Sequence, residues 1–161
     1  MYMTENASSS PSVRERIIIA CKLLLEEDWY LFAVQAHERT LTQHLAKHLQ
    51  KFFPTFSVDC EYNRDKNDTK TTSEWDIFPD IVVHQRGRND NNLIIIEAKW
   101  NATHKKQKDD IEKLQETRTK FSYQYAFFIN FIRKQQPFRV NIHDLDDNTP
   151  ISVSSSTLTN S

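Results

Sequence analysis

A single glycine, Gly87, serves the whole of this 161-residue chain. Loops that cradle nucleotide phosphates need several glycines, because backbone N–H groups must approach the ligand without side chains in the way. ATP binding through such a loop is therefore excluded. Cysteine is almost as scarce: Cys21 and Cys60 are the only two, and no close spacing pairs them. A reduced, cytoplasmic setting is expected, and Cys60, alternating with acids, reads as buried filler rather than a nucleophile. No apolar run approaches the roughly 20 residues of a membrane span, and the N-terminus lacks a basic-then-apolar leader pattern, so no membrane partner is expected. An excess of one charge is missing as well. The 21 Lys and Arg against 22 Asp and Glu leave a formal net charge of −1, which argues neither for nor against a nucleic-acid partner. No internal repeat stands out.

What is present suffices for one core. With 38% apolar residues the chain reads as a single domain over 12–145, between disordered tails at 1–11 and 146–161, the second dominated by Ser, Thr and Asn. Ser12 and Glu15 form a capping box that opens an extra helix over 12–30. Ile17, Ile18, Ala20, Cys21, Leu24 and Leu25 make that helix apolar on more than one side, so it is expected to pack on both the core and a second subunit, with Trp29 and Tyr30 closing it at a turn. Ala36 to Phe53 reads as an amphipathic helix through Leu41, Leu45, Leu49 and Phe52. A strand over Phe56 to Arg64, an exposed loop over Asp65 to Ser73 and a second core helix over Lys105 to Lys120 are expected. The stripe of that second helix is Ile111, Leu114, Arg118 and Phe121. Tyr123 to Phe131 reads as a strand buried on both faces, and Phe138 to Ile142 as a short edge strand.

Chemistry concentrates in two acidic elements. Pro79-Asp80 begins one β-branched run, Ile77 to Arg86, and Glu97-Ala98-Lys99 ends the next, Asn92 to Trp100, with turn formers around Gly87 between them. If Arg86 pairs with Asn91 across the turn, strand periodicity sets Asp80 directly opposite Glu97. Glu97 and Lys99 then share a face with Leu93 and Ile95. Opposed like charges destabilise a sheet, and buried carboxylates coexist only with a cation or a shared proton. All-oxygen ligands favour Mg²⁺ or Mn²⁺, and Lys99 beside such an ion would orient water or stabilise developing charge. A Glu-x-Lys triplet alone is common, and an edge strand leaving the core is the plain alternative. The combination carries the reading, together with Glu38, which extends the Leu41 stripe by one turn and so needs a partner on the core side. The alternative for Glu38 is a first-turn acid that favours the helix dipole. His37, His44 and His48 invite a zinc reading, but without paired cysteines or a zincin pattern they read as a solvated helix face.

This order of residues resembles the PD-(D/E)xK nuclease superfamily: Glu38 on a helix, a strand through Val58-Asp59-Cys60-Glu61-Tyr62-Asn63-Arg64, Pro79-Asp80, a hairpin, then Glu97-Ala98-Lys99. It looks like one of that superfamily's small uncharacterised prokaryotic groups, over roughly residues 36–132. The resemblance implies a restriction-endonuclease-like α-β-β-β-α-β core, an α/β (α+β) fold with a central mixed sheet flanked by helices. It implies a divalent ion on Asp80, Glu97 and the backbone carbonyl of Ala98, Lys99 acting on the attacking water, and Glu38 as the helical acid. The strongly basic, glycine-rich DNA face of the better-known resolvases is not obvious here.

The expectation is therefore a Mg²⁺-dependent deoxyribonuclease, structure-specific or weakly sequence-specific, acting in defence, repair or a mobile element. Lys105, Lys106 and Lys108 would contact DNA phosphates, with Arg64, Arg86 and Arg88 adding to the rim, as would Arg133, Lys134 and Arg139. A solvated helix face is the alternative for the lysines, and Asp110 with Lys113 reads as a surface pair. RNA as substrate, a homodimer and a protein partner stay open. The rival class is a catalytically inactive module on the same fold that binds nucleic acid or assembles with protein.

Overall fold

Isoleucine and valine dominate the two central strands because a strand covered on both faces has no solvent side to keep polar. Ile81, Val82 and Val83 in one strand and Ile94, Ile95 and Ile96 in the next are all fully buried. The computed structural model describes residues 10–62, 71–72, 75–76, 79–88, 90–133 and 136–156. Its strands are Ser57–Cys60 (β1), Thr71–Thr72 (β2), Trp75–Asp76 (β3), Ile81–His84 (β4), Asn92–Trp100 (β5), Tyr125–Ile132 (β6), Arg139–Asp144 (β7) and Ile151–Ser154 (β8). Its helices are Val13–Glu27 (α1), Trp29–Ala33 (α2), Glu38–Phe52 (α3) and His104–Lys120 (α4).

Six strands form one mixed sheet in the order β1-β4-β5-β6-β7-β8, and β2 pairs with β3 separately. Only β5 and β6 run parallel within the large sheet. A parallel pair needs a crossover, and α4 supplies it. Alternation divides the core in two. Ile81, Val83, Ile94, Ile96, Phe127 and Ile129 meet α1, α2 and α3 through Ile17, Leu24, Phe32, Leu41 and Leu45. Val82, Ile95, Ala126 and Phe128 face the other way and meet Leu114 of α4. The result is an α/β architecture with helices on both faces of a mixed sheet. Among the described residues no helix is long and apolar enough to cross a membrane.

The capping box forms as the sequence predicts: Ser12 Oγ accepts from the Glu15 N–H at 3.2 Å, and Glu15 Oε2 accepts from the Ser12 N–H at 2.7 Å. Within the chain the apolar surface of α1 packs on α3, β7 and β8. Other expectations are corrected. Trp29 and Tyr30 do not end a helix at a turn but begin α2, with Asp28 as the junction. The tail expected to be disordered from residue 146 contains β8, which pairs along β7 from Arg139↔Ser154 to Ile142↔Ile151. Val153 reaches the main core with 5% exposure, so β7 is an interior strand and β8 the edge. The loop expected over Asp65 to Ser73 lies outside the described residues except for β2.

Candidate active site

β4 starts at Ile81, opposite Ile96, whereas β5 runs on to Trp100 with β6 still paired along its other side as far as Trp100↔Phe131. Among the described residues, no strand covers that edge of β5 beyond Ile96. The N–H groups of Ala98 and Trp100, two residues apart, point toward the same edge. Unmet and buried, each would cost on the order of 1–3 kcal/mol. Two acids replace the missing strand: Asp80 Oδ2 accepts from the Ala98 N–H at 2.7 Å, and Glu38 Oε2 accepts from the Trp100 N–H at 2.8 Å. Asp80 precedes β4 by one residue, and Glu38 is the first residue of α3, so both arrive from element ends.

One step beyond the Ile81↔Ile96 pair, Asp80 stands opposite Glu97, the expected register. Nearer the turn the register differs from expectation: it shifts between Val83 and His84, so His84 faces Asn92 and Leu93 is the extra residue of a bulge. Leu93 consequently packs with the α1–α3 side of the core, and only Ile95 shares the face of Glu97 and Lys99.

Lys99 lies at the centre. Its Nζ is 2.5 Å from Glu97 Oε1, 3.9 Å from Glu38 Oε1 and 4.0 Å from Asp80 Oδ2. Burial works against the ammonium, but Glu97, Asp80 and Glu38 outweigh it and raise its pKa. Lys99 is therefore a proton donor and a positive charge at neutral pH, not a base. Burial pushes Glu97 up to about 7, and the charge of Asp80 adds to this while Lys99 opposes it. Burial also raises Asp80, against the Ala98 N–H and Lys99. The pair thus holds a proton far more readily than free carboxylates do.

Asp110 of α4 is a residue that the sequence reading placed at the surface. Its charge contributes to raising Glu97, and its Oδ2 is buried without a hydrogen-bond partner among the described residues. The signal was available: Asp110 lies four residues before Leu114, on the buried stripe that continues to Thr117. A cavity of about 90 Å³ opens beside the carboxylates, lined by Glu38, Arg39, Thr42, Cys60, Glu61 and Asp80. Arg39 bridges to Glu61 at 2.9 Å across it. The donor set is all oxygen and includes an orphaned carboxylate atom, which is the chemistry a hard divalent ion requires. Among the described residues, no three such groups already surround a common point. Lys99 is the counter-charge in the form seen here.

The remaining site expectations fall out unequally. Lys105, Lys106 and Lys108 are exposed in the first turns of α4, five or more residues beyond the end of β5 and so at the carboxylate end of the sheet. Thr103 caps that helix, accepting from the Lys106 N–H at 3.3 Å. Arg86 and Arg88 are not brought to the site. They lie at the hairpin end of β4 and β5, about 20 Å up the strand from Asp80 at ~3.3 Å per residue. Arg86 forms a fork with Asp59 at 2.9 and 2.5 Å, and Arg88 does the same with Asp90 at 2.9 and 2.5 Å. Arg64 lies outside the described residues. Glu38, one turn before Leu41, is partly exposed and finds its partner on the sheet, accepting from the Trp100 N–H of β5. His44 and His48 are not a solvated face: both bond Asp28, at 2.9 and 2.7 Å, and His48 is 5% exposed.

No family model matches this chain, and neither does any curated protein or solved structure.

Proposed function

We propose that the chain is a divalent-metal-dependent nuclease that hydrolyses DNA phosphodiester bonds, and that α3, β1, β4, β5, α4 and β6 form a restriction-endonuclease-like core. The observation that carries this reading is the gathering of Glu38, Asp80 and Glu97 within 4.0 Å of Lys99 Nζ, at the point where β4 leaves β5. Three acids gathered at one half-buried lysine serve the fold poorly on their own, since desolvated carboxylates cost stability.

Asp80, Glu97 and Glu38 would hold Mg²⁺ or Mn²⁺, with the Ala98 carbonyl as a further oxygen and Asp110 beside Glu97. When bound, such an ion lowers the pKa of water and neutralises phosphate charge. The chain's own contributions are distinct. Lys99 would donate to the attacking water or to a non-bridging phosphate oxygen, as a charge fixed in a partly dry site. Glu97 must lose its proton before it ligates, so cation binding competes with protonation. Lys105, Lys106 and Lys108 would hold the phosphate backbone without reading bases.

The test is cleavage of labelled linear, circular, single-stranded and four-way-junction DNA with Mg²⁺ or Mn²⁺. Cleavage that disappears in both Asp80→Ala and Lys99→Ala supports the reading. Retained cleavage in either variant, or none by the wild type, sinks it. The second reading, a noncatalytic module on this fold, draws on the Arg86–Asp59 and Arg88–Asp90 pairs, which leave those cations less available to phosphate. Metal-independent DNA binding without cleavage would favour it.

A further inference from the structure

Arg133 follows β6 at the carboxylate end of the sheet, and its guanidinium engages the protein's own Trp100, Gln35 and Ala36. Its guanidinium lies 4.2 Å over the Trp100 ring. Its Nη1 donates to the carbonyls of Gln35 and Ala36 at 3.4 and 3.5 Å, and its backbone N–H donates to Asn101 Oδ1 at 3.2 Å. Trp100 grips the same turn from the other side. The indole N–H donates to the Ala36 carbonyl at 3.1 Å, while the Trp100 backbone N–H donates to Glu38 at 2.8 Å. Phe32 and Phe131 meet the Trp100 ring edge-on at 5.7 and 5.6 Å, so the ring itself is fixed.

A second observation converges here. Gln35 and Asn101 both take left-handed backbone conformations, with φ of 53° and 42°, and neither is glycine. Such residues persist where their surroundings enforce them, and they cluster at functional sites. Both are hydrogen-bonding partners of Arg133. One precedes Glu38 by three residues and the other follows Lys99 by two.

We propose that Arg133 is a positioning residue: acting through Trp100 and the Gln35–Ala36 turn, it fixes the Glu38 carboxylate against the open edge of β5. The contacts stand by themselves, and the consequence for cation binding rests on the nuclease reading. This reassigns a charge that the sequence offered to a phosphate. Arginine suits the role and lysine does not, because a planar guanidinium stacks on an indole while presenting donors at its rim.

The experiment compares Arg133→Met, Arg133→Lys, Glu38→Gln and the Arg133→Met/Glu38→Gln double variant. Three quantities are read: the Trp100 amide and indole resonances in metal-free protein, the Kd for Mn²⁺ by calorimetry, and kcat and KM for cleavage. Arg133→Met is expected to move the Trp100 amide in the same sense as Glu38→Gln and to weaken Mn²⁺ binding roughly tenfold. The double variant should bind Mn²⁺ no more weakly than Glu38→Gln alone, and Arg133→Lys should not rescue. A rise in KM alone, with Mn²⁺ affinity and the Trp100 amide unchanged, would make Arg133 a phosphate contact and overturn the proposal. Fully additive weakening in the double variant would also overturn it. If the wild type neither binds Mn²⁺ nor cleaves, but the amide shifts still coincide, the nuclease reading falls while the positioning role stands.

Discussion

Glu38 and Trp100, 62 positions apart in the chain, are joined by a 2.8 Å hydrogen bond from a strand's backbone N–H to a helix's first side chain. A carboxylate here does the work of a neighbouring strand. Glu38→Ala should therefore cost about 1 kcal/mol of stability, because it leaves a donor unmet, whereas Glu38→Gln keeps an acceptor and should cost less. Both should weaken divalent-ion binding. Urea titrations with and without Mg²⁺ separate the two effects.

The half-buried carboxylate pair should make stability depend on pH. Glu97 has its pKa raised from 4.5 to about 7 in the folded chain, so the folded state holds that proton more tightly than the unfolded state does. Its contribution is then fully present below about 4.5 and is lost as pH rises toward 7. Metal-free wild type should lose thermal stability across that window, and Glu97→Gln should flatten the loss. Melting curves at fixed ionic strength from pH 4 to 8 check it; parallel curves for the two proteins would remove the raised pKa.

Cation binding has the opposite pH dependence, since the ion replaces the proton. Mg²⁺ or Mn²⁺ should raise the melting temperature of the wild type, more strongly at pH 8 than at pH 6. At 100 times Kd the gain is about 2.7 kcal/mol. Neither Asp80→Ala nor Glu97→Ala should respond, and added chelator should reverse the effect. If the acids were only a structural edge, removing both would stabilise the metal-free protein and Mg²⁺ would change nothing.

Arginines and lysines should divide by position. Arg86→Ala removes a fork on Asp59, whose other partner is the buried His84 at 2.8 Å, so a loss of stability is expected with DNA affinity unchanged. A Lys105→Ala/Lys106→Ala double variant should fold as the wild type does, weaken DNA binding across sequences and lower the salt slope by about 2. Fluorescence anisotropy over a salt series distinguishes the outcomes.

How much of this was legible in the sequence depends on whether a signal was local. The β-branched runs around Asp80 and Glu97 marked β4 and β5, because a strand covered on both faces reads as a near-continuous apolar run, and the turn formers around Gly87 joined the two as a hairpin. The bulge at Leu93 was invisible, since one extra residue near a turn changes no composition. Ile151 and Val153 alternate with Ser152 and Ser154, but four residues amid serines and threonines look like a polar tail until β7 offers an edge. Asp28 with His44 and His48 was out of reach for another reason: the partner of a histidine on α3 comes from the junction between α1 and α2, and sequence spacing does not report that packing. Asp110 was within reach had its stripe been followed one turn further back.

Val153 gives the strand assignment its own check. Val153→Asp would bury a carboxylate at a position that is 5% exposed, and should cost at least about 2 kcal/mol. A disordered tail would tolerate it without measurable change in an unfolding curve.

The edge strand β8 also sets the order in which this molecule can be made. Helix α1 packs on β7 and β8, which follow it in the chain by more than 100 residues. Its Ile17 and Leu24 therefore remain without their final neighbours until β7 and β8 have been synthesised. Closure of such a distant contact sits late on the folding route and slows it. Until then the growing chain carries an apolar helix and an unfinished sheet margin together, a state suited to capture by a chaperone or to association with another nascent copy.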